Sequence, residues 1–388
     1  MHVVFINRYF HPDHSATSQM LSDLAFHLAG AGWDVEVITS RQRYDDARAT
    51  LPVRERIRGV RVHRVWSTRF GRNFLPGRAI DYLTFYAAAF LGLLAALTKS
   101  SVAVALTDPP LISVVAAVAT RLRRATLINW TQDLFPEVAT AMGLRAPWPL
   151  RPLRDWSLRL ARTNVVLGER MAERVRRIPV SQVTVQPNWA HGDLQPIPSD
   201  RNALRAQWFP SHPFVVSYSG NLGRAHEVAT LVGAIHELRE DRHIAFLFVG
   251  GGARLPAIRN AGGNVRFEPY QPMERLSESL SSADVHLVTL RSEMEGLIVP
   301  SKIYGILAVG RPILFVGATD GEIARLIETT GCGAVVAEGD VSGLASRIRA
   351  MAADRAEMTA MGERGRREYE RRFASEVALR NWEILLRG

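Results

Sequence analysis

Short apolar runs alternate with helical patterns along the whole chain. In the first half, runs rich in Val and Ile predict strands over 2–7, 34–40, 60–67, 102–107, 125–130, 164–167 and 183–186, with helices over 17–28, 80–97, 111–122 and 170–177. The rhythm restarts in the second half, with strands over 214–219, 245–249, 265–268, 285–289, 313–316 and 334–336. Val/Ile-rich strands separated by helices point to parallel βαβ units. Between the halves, Pro187-Asn-Trp-Ala-His-Gly-Asp-Leu-Gln-Pro-Ile-Pro is crowded with turn residues and reads as a linker. The pattern predicts two doubly wound α/β domains, 1–190 and 200–371, whose strand ends face one cleft. A terminal helix follows within 364–387, with Tyr369, Phe373, Trp382 and Leu385 for burial; from about 372 to 388 it is expected to pack back on the first domain.

Length and composition agree with two globular domains: 388 residues, 47% hydrophobic and 22% charged. The single cysteine, Cys332, excludes an internal disulfide and any multi-cysteine metal site, which fits a reducing cytoplasm. The opening residues read as a buried first strand and not as a signal peptide. Residues 82–98 carry no charge and sit at the lower edge of what crosses a bilayer; they read as a buried or surface-docked helix, with insertion as the alternative.

Charge is unevenly placed. Residues 1–200 hold 25 Arg and Lys against 16 Asp and Glu, whereas the remainder is nearly balanced at 23 against 22. Arg54, Arg56, Arg58, Arg61, Arg64, Arg69, Arg72 and Arg78 form the densest stretch. Either it faces an anionic partner, a membrane leaflet or a phosphorylated substrate before a nucleic acid, or it is a solvated face of an arginine-rich chain in which only Lys99 and Lys302 are lysines. With thin aromatic interleaving (Trp66, Phe70, Phe74) and no nucleic-acid motif, nucleic acid is not expected.

The strongest local chemistry lies in Ser219-Gly-Asn-Leu-Gly-Arg-Ala-His-Glu, where a strand runs into Gly220 and Gly223 and a helix is expected from about His226. Glycines let backbone approach a phosphate, a helix start offers unpaired N–H groups, and the Arg224 guanidinium can fork onto a diphosphate. A second loop, Glu293-Met-Glu-Gly-Leu-Ile-Val-Pro-Ser-Lys, leads into another helix start at Ser301 and Lys302. Arg224 and Lys302 together suit two phosphates. Glu295 reads either as an acceptor for sugar hydroxyls or as a loop carboxylate in water.

These segments, with Phe248-Val-Gly-Gly-Gly, Ala308-Val-Gly-Arg-Pro, Asp320-Gly-Glu, Tyr9-Phe-His-Pro, Ala16-Thr-Ser, Thr107-Asp-Pro-Pro and Gln132-Asp-Leu-Phe-Pro-Glu, resemble retaining glycosyltransferases of family 4, in their exopolysaccharide and O-antigen branch. The resemblance implies a GT-B fold: two Rossmann-like domains, the donor in the second and the acceptor in the first. It implies retention of anomeric configuration and no cofactor or metal; no Asp-x-Asp pair is present. By that likeness Arg224, Lys302 and Glu295 grip the diphosphate and donor sugar. Gly220, Asn221, Gly223, Gly251, Tyr270, Pro300, Ser301 and Glu322 complete the donor side, and His11, His14, Ala16 and Thr17 line the acceptor side. Asp133, after a strand, is the candidate for touching the acceptor or the reacting centre.

Two departures stand out. The ribose-holding second glutamate of the family's Glu-x7-Glu pattern falls on Gly305, its first on Leu297, and Glu322 is the candidate substitute. A second cation expected after Arg224 is replaced by His226. The expected activity is transfer from a nucleotide sugar, UDP-linked first, to a lipid-linked saccharide at the inner membrane leaflet, by a cytoplasmic, peripheral enzyme. A soluble small-molecule acceptor, a non-hydrolysing epimerase, a phosphorylase and an inactive nucleotide-sugar-binding partner are the alternatives.

Overall fold

The computed structural model describes all residues except 45, 47, 72–74, 145, 146, 148, 191, 212 and 263, so Arg72 and Phe74 of the arginine-rich stretch lie outside the described residues. Internal contacts divide the chain into two units, Met1–Pro187 with Leu379–Gly388, and Asn188–Ala378.

The first unit is built on strands β1 (His2–Ile6), β2 (Asp34–Ser40), β3 (Arg54–Ile57), β4 (Val60–Val65), β5 (Val102–Ala105), β6 (Thr126–Thr131), β7 (Thr163–Val166) and β8 (Val183–Val185). Its helices are α1 (Ala16–Gly30), α2 (Leu75–Ala96), α3 (Ile112–Arg123), α4 (Glu137–Ala141), α5 (Leu150–Leu160) and α6 (Glu169–Arg176). The sheet order is β3-β4-β2-β1-β5-β6-β7-β8, parallel apart from β3. Strands buried on both faces must be apolar at every position, and β5 and β7 are buried throughout.

The polar Arg54-Glu-Arg-Ile, not expected as a strand, pairs antiparallel with β4 at the sheet edge. An edge strand needs only one partner and tolerates charge. Two arginines of the dense stretch are consumed here. Arg64 is buried against Glu55 and donates to the His11 carbonyl at 2.8 Å, and Arg61 bridges Asp34 and Glu36. Arg64 is a packing group and Arg61 is neutralised by carboxylates at the surface, so the stretch is only partly free to face a partner.

The second unit contains α7 (Ala203–Trp208), β9 (Phe214–Asn221), α8 (Ala229–Glu237), β10 (Ile244–Gly251), α9 (Leu255–Arg259), β11 (Val265–Glu268), α10 (Leu276–Ser281), β12 (Val285–Thr289), α11 (Lys302–Ala308), β13 (Ile313–Gly317), α12 (Glu322–Thr330), β14 (Gly333–Ala337), α13 (Val341–Ala353) and α14 (Arg355–Glu368). Its six strands are all parallel, in the order β11-β10-β9-β12-β13-β14. The supposed linker is a packed segment, with Trp189, Ala190 and Leu194 buried.

The expected continuous terminal helix is broken. After α14 comes a π turn, Tyr369–Phe373, and an extended Ala374 precedes α15 (Ser375–Arg387). Tyr369 and Phe373 are buried, so their apolar spacing survives the break. In the first unit, Trp382 packs on Trp130 with ring centroids 4.5 Å apart, and Leu386 is fully buried where Leu385 was expected.

Candidate functional site

In an open parallel sheet the crevice forms where strand order reverses, at the carboxyl ends of the two strands beside the reversal. In the second unit those strands are β9 and β12. Their pairing covers Val285 with Val216 and His286 with Ser217, and beyond it the strands part. The loops that follow carry the Gly220 segment and the segment from Glu293 to Lys302.

β9 extends beyond the apolar run and takes in Gly220 and Asn221. β10 likewise extends through Gly250 and Gly251, registered against Gly220 and Asn221. A Cβ on Gly250 would lie 2.6 Å from the Gly220 carbonyl and 2.9 Å from the Tyr270 ring. Only glycine permits that approach, at a φ of 121°. Leu222 N–H then donates to the Gly251 carbonyl at 2.7 Å. Tyr270, itself exposed, lies over Gly250 and Gly251.

The helix expected from His226 begins at Ala229. Residues 224–226 form a turn, and Glu227, buried, accepts the Thr230 N–H at 3.0 Å. A carboxylate of the chain itself thus occupies this helix start, so phosphate contact falls to the glycine loop and to side chains. Arg224 is exposed at its rim, as is Asn221, and Gly223 is half-buried between them.

Lys302 opens α11 next to an exposed Ser301 and a buried Pro300. Its Nζ is enclosed, has no hydrogen-bond partner, and lies 3.6 Å from the centroid of the Tyr218 ring. A Cβ on Gly220 would sit 3.9 Å from the same Nζ, so the amine borders the glycine loop. Burial holds its pKa well below the ordinary lysine value of 10.5. An enclosed ammonium without acceptors is a costly state that an arriving anion relieves.

His226 is not a second cation. Its Nδ1 donates to the Thr289 carbonyl at 2.7 Å, and burial first, then the charge of Lys302, pushes its pKa down to about 4. It is neutral at physiological pH. Tyr218 escaped sequence reasoning because an aromatic within a strand reads as core. Its ring faces Lys302 and stacks on Phe248, and its hydroxyl donates to the Asn221 carbonyl at 3.1 Å.

Glu295 is half-buried and is neither a free loop carboxylate nor a group open only to sugar hydroxyls. Its Oε1 accepts the Glu322 N–H at 2.8 Å, so it caps α12 and places Glu322 at that helix start. Gly305 faces Leu280 and Leu194, whose methyls would stand 3.2 and 3.6 Å from an added Cβ, so a side chain there meets leucines that must give way.

In the first unit the order reverses between β1 and β5. The loops after β1 and β5 are joined by Arg8 N–H to the Asp108 carbonyl, 2.6 Å. Asp133 follows β6; it is solvent-accessible, yet the protein around it removes enough water to raise its pKa to about 6, with the Asp108 charge as the second cause. His11 and His14 are exposed; partial loss of water around the His11 ring, then Arg58 and Arg64, lowers its pKa. Ala16 and Thr17 open α1, where Ser15 makes no side-chain cap; Asp13 instead accepts the Ser15 N–H at 2.8 Å. Among the described residues, no group of three or more His, Cys, Asp or Glu is placed to hold a metal.

Residues 213–354 match the family model "Glycosyl transferases group 1", and residues 16–189 match "Glycosyl transferase 4-like domain". WbjE of Pseudomonas aeruginosa, named a probable glycosyltransferase, is 30% identical over 231 residues, which are 55% of this chain and 57% of that protein. WcaI of Escherichia coli (strain K12), named a putative colanic acid biosynthesis glycosyl transferase, is 31% identical over 181 residues, 44% of each chain. The chain thus spans about half the length of these curated relatives. Among solved structures, sucrose-phosphate synthase from Thermosynechococcus elongatus superposes with a TM-score of 0.82 at 18% identity, covering 100% of this chain and 98% of that one. Anabaena HepE in complex with UDP and glucose does so with a TM-score of 0.74 at 14% identity, covering 100% and 99%. Each half thus matches a glycosyltransferase family model, and the fold throughout is the GT-B fold of these solved structures.

Proposed function

We propose that the chain is a retaining glycosyltransferase that takes a sugar from a nucleoside-diphosphate donor, UDP-linked first, and passes it to a lipid-linked saccharide in surface polysaccharide biosynthesis, without a metal. The observation that carries the reading is Lys302: an enclosed, unpartnered amine beside a glycine loop, over an aromatic ring. Nothing in an apolar core calls for such a group, and a diphosphate supplies the oxygens it lacks. The names of HepE's ligands support UDP, and WcaI's name supports a polysaccharide product.

In this reading the glycine loop and Tyr270 hold the nucleotide. Arg224 and Lys302 neutralise the charge that grows on the diphosphate as the sugar–phosphate bond breaks. The acceptor hydroxyl attacks the anomeric carbon from the face the nucleotide leaves, and the departing phosphate oxygen takes up its proton. Asp133 orients the acceptor. Front-side displacement through an oxocarbenium-like state needs a stabilised leaving group more than a strong base. A second reading, a nucleotide-sugar-binding partner without turnover, is favoured by the closed space at Gly305 and the neutral His226.

A thermal-shift panel of UDP, GDP, dTDP, ADP and CMP on the wild type, Arg224→Ala and Lys302→Met tests the donor site. A saturating ligand at about 100 times its Kd stabilises by about 2.7 kcal/mol. One nucleoside diphosphate is expected to raise the melting temperature, and both variants to lose the rise. No rise with any nucleotide overturns the site. Binding without transfer to any lipid-linked or soluble acceptor, with or without chelator, favours the second reading.

A further inference from the structure

Residues Pro76–Ala96 of α2 are long and apolar enough to cross a membrane, yet only 28% of their most apolar stretch is buried. Phe85, Ala89 and Leu93 form the inner stripe and, with Leu97 just past the helix end, are sealed in the core with Val4, Ile38 and Ala105, so the helix cannot leave the sheet to span a bilayer. Its outer stripe is apolar as well. Ile80, Leu83 and Leu91 are exposed, the last two by 65% and 67%. A helix of a water-bathed surface carries polar residues on that side.

The stripe continues onto the neighbouring helices. α2 packs beside α3 and α3 beside α5, the latter pair tied by Ser113 and Ser157 hydroxyls 2.9 Å apart. Leu122 on α3 and Leu153 and Trp156 on α5 are exposed too. Each of the three helices leads from one parallel strand to another of the same sheet, so all run alike and end at one edge. That edge bears Lys99, Arg121, Arg123, Arg124 and Arg159, all exposed. The carboxylates on these helices are Asp81, buried on the Thr68 hydroxyl and the Phe70 and Gly71 N–H groups, and Asp155, half-buried on Arg154. Among the described residues of the three helices no carboxylate is exposed.

We propose that the outer face of α2, α3 and α5 docks on an anionic phospholipid leaflet, lying in the interface plane with Leu83, Leu91, Leu122 and Trp156 among the acyl chains and the basic helix ends at the headgroups. Charge complementarity selects this occupant: a second copy would meet the face with the same cations and no exposed carboxylate. The inference rests on the lipid-linked acceptor for its purpose, but its test needs no acceptor. It also moves the membrane contact away from the arginine-rich segment, where Arg64 is paired inside the fold and Arg61 with carboxylates at its surface.

The test is flotation of the full chain with vesicles of phosphatidylcholine alone and of phosphatidylcholine with phosphatidylglycerol. Partition onto the anionic vesicles is expected to exceed that onto neutral ones by about tenfold or more, and to fall with salt. Leu83→Glu with Leu91→Glu, and separately Leu122→Glu with Trp156→Glu, are expected to lower partition by about tenfold, since each puts a charge at the acyl boundary. Both variants must keep the wild-type melting temperature and nucleotide shift. Arg54→Gln with Arg56→Gln, on the β3 edge, is expected to partition as wild type. Equal binding to neutral vesicles, loss only in the β3 variant, or a change from dimer to monomer in the leucine variants overturns the inference. Docking without transfer to any lipid-linked acceptor fails the acceptor reading alone, and transfer without docking fails this inference alone.

Discussion

Glu295 and Gly321 are built for each other. The Glu295 carboxylate lies where a methyl on residue 321 would be, with Oε1 on the Glu322 N–H at 2.8 Å. A carboxylate at the first turn of α12 satisfies an orphan donor and faces the positive end of the helix. Gly321→Ala therefore displaces the cap. It is expected to cost about 0.5–2 kcal/mol, as cap losses do, a fall in Tm of about 2–4 °C per kcal/mol. Glu295→Gln keeps an oxygen at the helix and is expected to stay within about 1 kcal/mol of wild type. If Glu295 also holds the donor sugar, Glu295→Gln weakens nucleotide-sugar binding while leaving nucleoside diphosphate binding intact. Calorimetry with both ligands checks this, and equal loss of both removes Glu295 from the sugar site.

Much of the fold is legible because buried parallel strands must be apolar at every position, as in Val102–Ala105 and Ile313–Gly317. What escapes is decided by partners distant in sequence. Arg54-Glu-Arg-Ile is a strand only because β4 offers a free edge, and the break at Ala374 hides behind a Tyr369 and Phe373 spacing that fits a helix equally well. At the site, Lys302 is visible as one of two lysines on a turn of suitable chemistry. The Tyr218 ring beneath it, the Glu295 cap 27 residues from its helix, and the leucines that close Gly305 are properties of packing alone.

Lys302→Met separates stability from binding. The folded pKa of Lys302 lies below its unfolded value, so its favourable contribution is complete only above about pH 10.5 and is lost as pH falls through the folded pKa. At neutral pH the enclosed amine is a burden. An apolar side chain of similar length on the Tyr218 ring is expected to raise the melting temperature at pH 7, by about 2–4 °C for each kcal/mol recovered. The same variant is expected to lose the nucleoside diphosphate shift. A variant that melts lower than wild type yet binds nucleotide as before would mean that Lys302 is a packing residue.

Asp133 sets an acid limb if it orients the acceptor as a carboxylate. Desolvation first and Asp108 second raise its pKa to about 6, so its ionised fraction falls about tenfold for each step of one in pH below that value. kcat/KM for transfer is expected to rise with pH and level off above about 6. Asp133→Asn is expected to lower the plateau by about 10²-fold and remove the limb. Asp108→Asn removes a like charge and is expected to move the limb to lower pH. A limb that persists unchanged in Asp133→Asn assigns it to another group.

Acid stability should report on two histidines at once. His286 is fully buried with Nε2 donating to the Leu280 carbonyl at 2.8 Å, and burial lowers its pKa to about 4; His226 is lowered to about 4 as well. A depressed folded pKa gives stability that is complete above the unfolded value of about 6.5 and lost as pH falls toward 4. For His286 the loss amounts to about 3 kcal/mol by pH 4, since each tenfold change in proton affinity is worth about 1.4 kcal/mol. Urea melts between pH 7 and 4 are expected to slope downward by nearly two protons, and by about one in His226→Gln. A saturating nucleoside diphosphate should flatten the slope from a different direction. Its negative charge beside His226, whose pKa of about 4 leaves it neutral at pH 6, favours the protonated imidazole and adds proton uptake to whatever the ligand's own terminal phosphate releases. Titration calorimetry at pH 6 in buffers of different ionisation enthalpy measures the net proton exchange, which His226→Gln is expected to shift toward release. A proton exchange unchanged in His226→Gln would place the diphosphate away from that imidazole.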